Sequence, residues 1–253
     1  MFKSFAYILA CLTCVFSGLQ AENLVVGTTT AYAPFVSLDE KGEMVGFDID
    51  IAKALAAKLN RRLVFKDLGS MPSLMLSLKQ GKVDLLIWAI SITEERQKQM
   101  EMVFYQGETI TTMPLIFWNK IPDGVSSIQD LANDPKNIVC VEAGSFQESF
   151  AQNVKGLRLK QVDKVLDAMM EIRYGKSTAI LVDSSLVATL QKQFPQMKVM
   201  EIPLPQSEQS LGNGICIQKK NPQLAVQVRA AIDELRREGV IAELEKKWNL
   251  EGK

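Results

Sequence analysis

Histidine is absent from all 253 residues. Its absence excludes Ser-His and Cys-His nucleophilic sites and removes the commonest zinc ligand. An enzyme built on this chain would have to work with carboxylates, lysine, tyrosine or cysteine. An excess of charge is absent as well: 29 Lys and Arg balance 29 Asp and Glu. With no Lys/Arg cluster, the chain lacks the electrostatic footprint of a nucleic-acid binder, and no nucleic-acid partner is expected. No apolar run is long enough to span a bilayer. Nothing in the sequence calls for a cofactor or a metal. Cysteine is scarce, at four residues. Cys140 and Cys216 suffice for one disulfide in an oxidising compartment, but cysteines in separate apolar strands are more often just buried.

The N-terminus has the layout of an export signal. Lys3 supplies the positive charge, Phe5 to Phe16 the apolar core, and Leu19-Gln20-Ala21 a small-residue cleavage site. Residues 1–21 are therefore assigned to a signal peptide, and a mature chain beginning near Glu22 is placed outside the cytoplasm, in the periplasm. Ile8-Leu9-Ala10 before Cys11 resembles a lipoprotein cleavage box. It would leave a very short apolar core after Lys3, so lipid attachment at Cys11 is the weaker reading.

The most informative stretch is KVDLLIWAISITEERQKQM, from Lys82 to Met100. Val83 to Ile87 is an apolar run suited to a buried strand, and Thr93 is placed to cap a helix that contains Arg96. A strand handing over to a helix at its carboxyl end is where open α/β sheets bind ligands. Free backbone N–H groups, the Ser91 hydroxyl and the Arg96 guanidinium together suit a carboxylate. The plain alternative is an ordinary turn with a solvated arginine.

Upstream, Asn23 to Thr28 reads as a first strand, and Tyr32-Ala33-Pro34-Phe35 as an aromatic turn. A short strand from Glu43 to Phe47 precedes a helix with apolar positions Ile49, Ile51, Ala52, Leu55, Ala56 and Leu59, which Asp48 is placed to cap. Leu63 to Lys66 is a strand and Ser70 to Gln80 a helix with Pro72 in its first turn. This β-α-β-α-β succession argues for a parallel sheet covered by helices. From Ile110 the same scheme recurs: strands Ile110 to Trp118, Asn137 to Val141 and Ala179 to Val182, with helices from Phe146, Asp163 and Ser184. Ile215 to Gln218 returns as a strand, and helices Pro222 to Glu238 and Ile241 to Trp248 close the chain.

AYAPF, MVGFDIDIAKALA, SLKQGKVDLL, ISITEERQ, EAGSFQESF, LVDSSLVA and GVIAELEKKW follow one another in that order. This succession resembles the polar amino-acid-binding proteins of bacterial ABC transporters, such as the lysine/arginine/ornithine- and glutamine-binding proteins. The resemblance covers essentially the whole mature chain. It implies an α/β fold like that of periplasmic binding proteins, with two α/β lobes joined by two hinge strands. Lobe one would span 22–108 plus 207–253, lobe two 113–205, with hinges near 109–112 and 204–210. It also implies a monomer, an amino-acid ligand and an inner-membrane ABC permease as partner.

Residue by residue, the resemblance gives Arg96 the ligand α-carboxylate, with Ser91 and Ser145 beside it, and Asp183 the α-ammonium. Tyr32 becomes an aromatic lid. Ala89 and Gln147 fall within the same ligand-binding set. The plain readings are that Asp183 merely caps a helix and that Tyr32 is core. Departures from the family touch selectivity: Trp88 stands at a serine position, Thr29 at an acidic one, and Met71 replaces a stacking aromatic. Glu142 stands where the relatives carry leucine or lysine. A carboxylate in a desolvated cleft invites a cation, and Trp88 could stack on a guanidinium. The ligand is therefore expected to be basic, arginine ahead of lysine or ornithine. Asp48 is read as a helix cap rather than a contact to the distal end of that ligand. The alternative function is an exported dehydratase acting on prephenate or arogenate, with Glu142 recruited as its acid.

Overall fold

A computed structural model describes residues 21–251. The expected signal peptide, apart from Ala21, lies outside the described residues, as do Cys11 and Cys14. Strand β1 (Asn23–Thr28) has the bounds expected from its apolar run. A small ribbon, β2 (Ser37–Leu38) and β3 (Met44–Val45), leads into α1 (Phe47–Lys58). The helix buries Phe47, Ile49, Ile51, Ala52, Leu55 and Ala56 on the face that its spacing dictates. Asp48 does not cap it. The cap position is Gly46, with φ of 141°, where a Cβ would stand 2.0 Å from the Phe35 carbonyl oxygen. Asp48 is instead buried within the first turn, because the chain enters the helix two residues earlier than a cap at Asp48 requires.

The chain continues through β4 (Arg62–Asp67), α2 (Met71–Lys79), β5 (Leu85–Leu86) and α3 (Glu94–Gln99) into β6 (Met100–Gln106). Next come β7 (Thr112–Trp118), α4 (Ile128–Ala132), β8 (Val139–Glu142) and α5 (Phe146–Gln152). They are followed by β9 (Leu159–Val162), α6 (Val165–Arg173), β10 (Ala179–Leu181), α7 (Ser184–Gln193) and β11 (Met197–Pro203). The chain closes with β12 (Asn213–Gln218), α8 (Pro222–Arg237) and α9 (Val240–Lys247).

Two five-stranded sheets organise these elements, one in the order β4-β1-β5-β12-β6 and the other β11-β7-β10-β8-β9. In the first, β4, β1 and β5 run parallel and β12 lies antiparallel to both β5 and β6. In the second, β10, β8 and β9 are parallel, while β7 is antiparallel to β10 and β11. The fold is thus α/β and like that of periplasmic binding proteins. Alternation along the second sheet sends Met113, Leu115 and Phe117 to one core and Ile116 to the other. Val139 and Val141 likewise part from Cys140, and Ala179 and Leu181 from Ile180. Both faces are covered by apolar side chains, each fully buried Val, Leu or Phe contributing about 1.5–3 kcal/mol.

The chain crosses between the sheets twice, and the crossings lie side by side. The Ile110 N–H donates to the Ser210 carbonyl at 2.8 Å, and Leu204 N–H to the Thr111 carbonyl at 2.8 Å. Cys140 on β8 and Cys216 on β12 are both buried free thiols, one in each sheet. Among the described residues no helix is long and apolar enough to cross a membrane.

Candidate functional site

Strand β5 stops at Leu86, two residues short of the Trp88-Ala89 turn. Ala89 has φ of 44°, in the left-handed region that costs a side-chain-bearing residue about 1–2 kcal/mol. Asp48 holds it there: Oδ2 accepts the Ala89 N–H at 2.8 Å, and Oδ1 accepts the Tyr105 hydroxyl at 2.6 Å. After the turn, Thr93 caps α3 as its position predicts, its Oγ1 accepting the Arg96 N–H at 3.2 Å. The cap fixes the first turn of α3, and Arg96 reaches back. Its guanidinium donates to the Ser91 carbonyl at 2.9 Å and, across the gap between the sheets, to the Gly144 carbonyl at 3.0 Å. Burial pulls its pKa downward, yet arginine stays charged at any ordinary pH.

The opposing wall comes from the second sheet. After β8 ends at Glu142, Gly144 takes φ of 73°, and a Cβ there would stand 3.2 Å from Met71 Cγ. The two halves therefore meet at a position that favours glycine twice, for its backbone and for its bareness. Ser145 caps α5, its Oγ accepting the Glu148 N–H at 3.0 Å. Asp183 caps α7, its Oδ1 accepting the Ser185 N–H at 2.9 Å and the Ser185 hydroxyl at 2.5 Å. The plain reading of Asp183 as a cap is met, and the residue faces the gap as well.

Tyr32, Met71, Trp88, Ala89, Ser91, Arg96, Glu142, Ser145, Gln147 and Asp183 all line one cavity, and Phe146 joins them. Its volume is about 20 Å³, space for about one water. An amino acid enters only if the halves part. A second cavity, of about 330 Å³, shares Asp183 and runs along the crossing residues Thr109 to Thr112 and Gly212-Asn213. Tyr32 is mostly buried and packs on Trp88 with ring centroids 4.8 Å apart and planes inclined at 46°. The indole N–H is buried and has no hydrogen-bond partner among the described residues. Thr29 is buried and supplies no charge at the position where an acid was missed.

The charges in the cavity do not balance. Glu142 is only 8 % exposed and forms no ion pair among the described residues. Burial, then Asp183 and Asp163, push its carboxyl up to about 8. Asp183 is raised by burial, against the two hydrogen bonds from Ser185. Asp48 is pushed up to about 7 by burial, against Tyr105 and the Ala89 N–H. The Tyr32 hydroxyl is driven well above its ordinary pKa by burial and then by Asp183, Glu142 and Asp48, with Arg96 alone opposing. The cavity thus holds two carboxyl groups, Glu142 and Asp183, against a single guanidinium. A buried acid without a cation is costly, and the arrangement is suited to a ligand that brings positive charge.

Sequence reasoning missed Phe146 and misread Asp48. Phe146 stands next to Ser145 at the start of α5, and that adjacency was the available signal. For Asp48 the signal was its place inside an otherwise apolar helix face, between Phe47 and Ile49.

Residues 24–251 match the model of the family described as bacterial extracellular solute-binding proteins, family 3. The chain is 36% identical over 245 residues to a probable ABC transporter arginine-binding protein, ArtJ, of Chlamydia trachomatis serovar D, covering 95% of this chain and 92% of the relative. It is 26% identical to the arginine-binding extracellular protein ArtP of Bacillus subtilis, with 95% of each chain covered. Among solved structures, an ancestral arginine-binding protein bound to arginine superimposes with a TM-score of 0.75 at 30% identity, over 89% of this chain and 97% of that one. Fold, cleft and sequence agree, and the chain belongs to the family 3 bacterial extracellular solute-binding proteins.

Proposed function

We propose that the protein captures a cationic amino acid, arginine before lysine or ornithine, and hands it to an ABC permease of the inner membrane. The observation that carries this reading is that one cavity brings together two carboxyl groups, Asp183 and Glu142, and a single guanidinium, Arg96. An amino acid bound here would place its α-carboxylate on Arg96, with Ser91 and Ser145 beside it, and its α-ammonium on Asp183. A planar guanidinium gives two parallel hydrogen bonds to a carboxylate, which orients the ligand as well as holding it. Glu142 then faces the side chain, where a guanidinium or ammonium returns it to the ionised form. Tyr32, Trp88 and Phe146 supply aromatic walls, and Met71, Ala89 and Gln147 complete the cleft.

The names of the relatives support the same ligand, since ArtJ and ArtP are both described as arginine-binding. They are binding proteins rather than enzymes, which weighs against the dehydratase alternative. Incubation with prephenate should accordingly yield no phenylpyruvate. The two side-by-side crossings, near 109–112 and 204–210, act as the hinge, and the protein works as a periplasmic monomer. A thermal-shift screen of the twenty amino acids plus ornithine tests the reading, because a ligand that binds only the folded state raises the melting temperature. Arginine should give the largest shift. A largest shift from a neutral or acidic amino acid would overturn the assignment.

A further inference from the structure

Asp48 does not line the cavity, yet it is hydrogen-bonded to Ala89, which does. Its side chain is fully buried in the first turn of α1. One oxygen accepts the Ala89 N–H at 2.8 Å and the other the Tyr105 hydroxyl at 2.6 Å. Tyr105, on β6, is itself buried and stacks on Phe47 with ring centroids 6.0 Å apart. Helix α1, strand β6 and the turn after β5 therefore meet at one carboxyl group. No lysine or arginine pairs with it among the described residues. As packing, an apolar side chain would serve this spot better, since a buried acid without a cation is costly. What an apolar side chain cannot do is accept the N–H of a residue held in the left-handed region.

We infer that Asp48 is a positioning residue for ligand binding: through the Ala89 N–H it fixes the turn that sets Trp88 and Ser91 in the cleft. Tyr105 in turn fixes Asp48. Burial pushes the Asp48 carboxyl up to about 7, and in either protonation state an oxygen remains to accept from Ala89. The inference rests on the cleft being the ligand site, and the experiment separates the two.

Arginine affinity by calorimetry and the melting temperature of the ligand-free protein are measured for wild type, Asp48→Asn, Asp48→Ala and Tyr105→Phe. Leu55→Val, a buried change further along α1, serves as control. Asparagine keeps a carbonyl oxygen for Ala89, so Asp48→Asn should stay within about threefold of wild type, whereas Asp48→Ala should weaken arginine by about tenfold or more. Tyr105→Phe frees the carboxyl from its second anchor and should fall between them. Leu55→Val should lower the melting temperature and leave affinity unchanged. Wild-type affinity in Asp48→Ala, or affinity that follows melting temperature across all variants including Leu55→Val, overturns the inference. Should Asp48→Ala fail to fold, the order of the other two decides. Tyr105→Phe weaker than Asp48→Asn supports the role, and the reverse refutes it. A wild type that binds no amino acid refutes the ligand site itself.

Discussion

Arg96 and Glu142 sit in the same cavity and act on opposite ends of the proposed ligand, so their substitutions should separate. Arg96→Ala leaves the ligand carboxylate buried and unpaired, a loss of about 3–5 kcal/mol. At about 1.4 kcal/mol per decade, every amino-acid ligand should weaken by roughly two to four orders of magnitude, read by calorimetry. Glu142→Gln keeps the size of the side chain and removes only the charge. Arginine should then weaken by about tenfold or more, the cost of losing a charged partner, while glutamine stays within a few-fold. Equal losses for both ligands would make Glu142 a structural residue. Trp88, whose sequence position suggested stacking on a guanidinium, lines the cavity and packs against Tyr32 with the two ring planes tilted at 46°.

The elements show what the sequence could and could not reveal. Strand β1 has the bounds expected of its apolar run, and helix α7 starts at Ser184 as expected because Asp183 caps it. Strands β6, β9 and β11 were not anticipated. β9 (Leu159–Val162) lies at a sheet edge with two exposed polar residues in its middle, so it carries no apolar run. β6 (Met100–Gln106) follows α3 with no intervening loop, which hid the change of period. β5 was expected from Val83 to Ile87, but only Leu85 and Leu86 pair as strand before the chain turns. The ten cleft residues were legible because a motif order carried them, whereas Asp48 looked like a cap because an acid at a helix start usually is one. The entry to α1 offers a direct check. Gly46→Ala would press a Cβ against the Phe35 carbonyl. Strain of this kind costs about 3 kcal/mol or more and should lower the melting temperature by about 10 °C.

At the scale of the whole molecule, binding and stability are linked through the buried acids. Glu142, at about 8, and Asp48, at about 7, bind protons more tightly folded than unfolded. Their contribution is full below the ordinary carboxyl range near 4 and is lost as pH rises through about 7 to 8. The ligand-free protein should therefore melt at a lower temperature at pH 9 than at pH 5, and Glu142→Gln should flatten that fall; a rise with pH in thermal melts would contradict it. Arginine supplies the missing cation and favours ionised Glu142, so its affinity should strengthen toward pH 8 with release of a proton. The central claim is that the cleft selects charge rather than shape. The most direct measurement is calorimetric titration of wild-type protein with arginine and with citrulline, whose side chain has nearly the same size and no charge. Arginine is expected to bind more tightly by about tenfold or more, because citrulline leaves Glu142 a neutral partner in place of a charged one. Equal affinities, or a preference for citrulline, would contradict the claim.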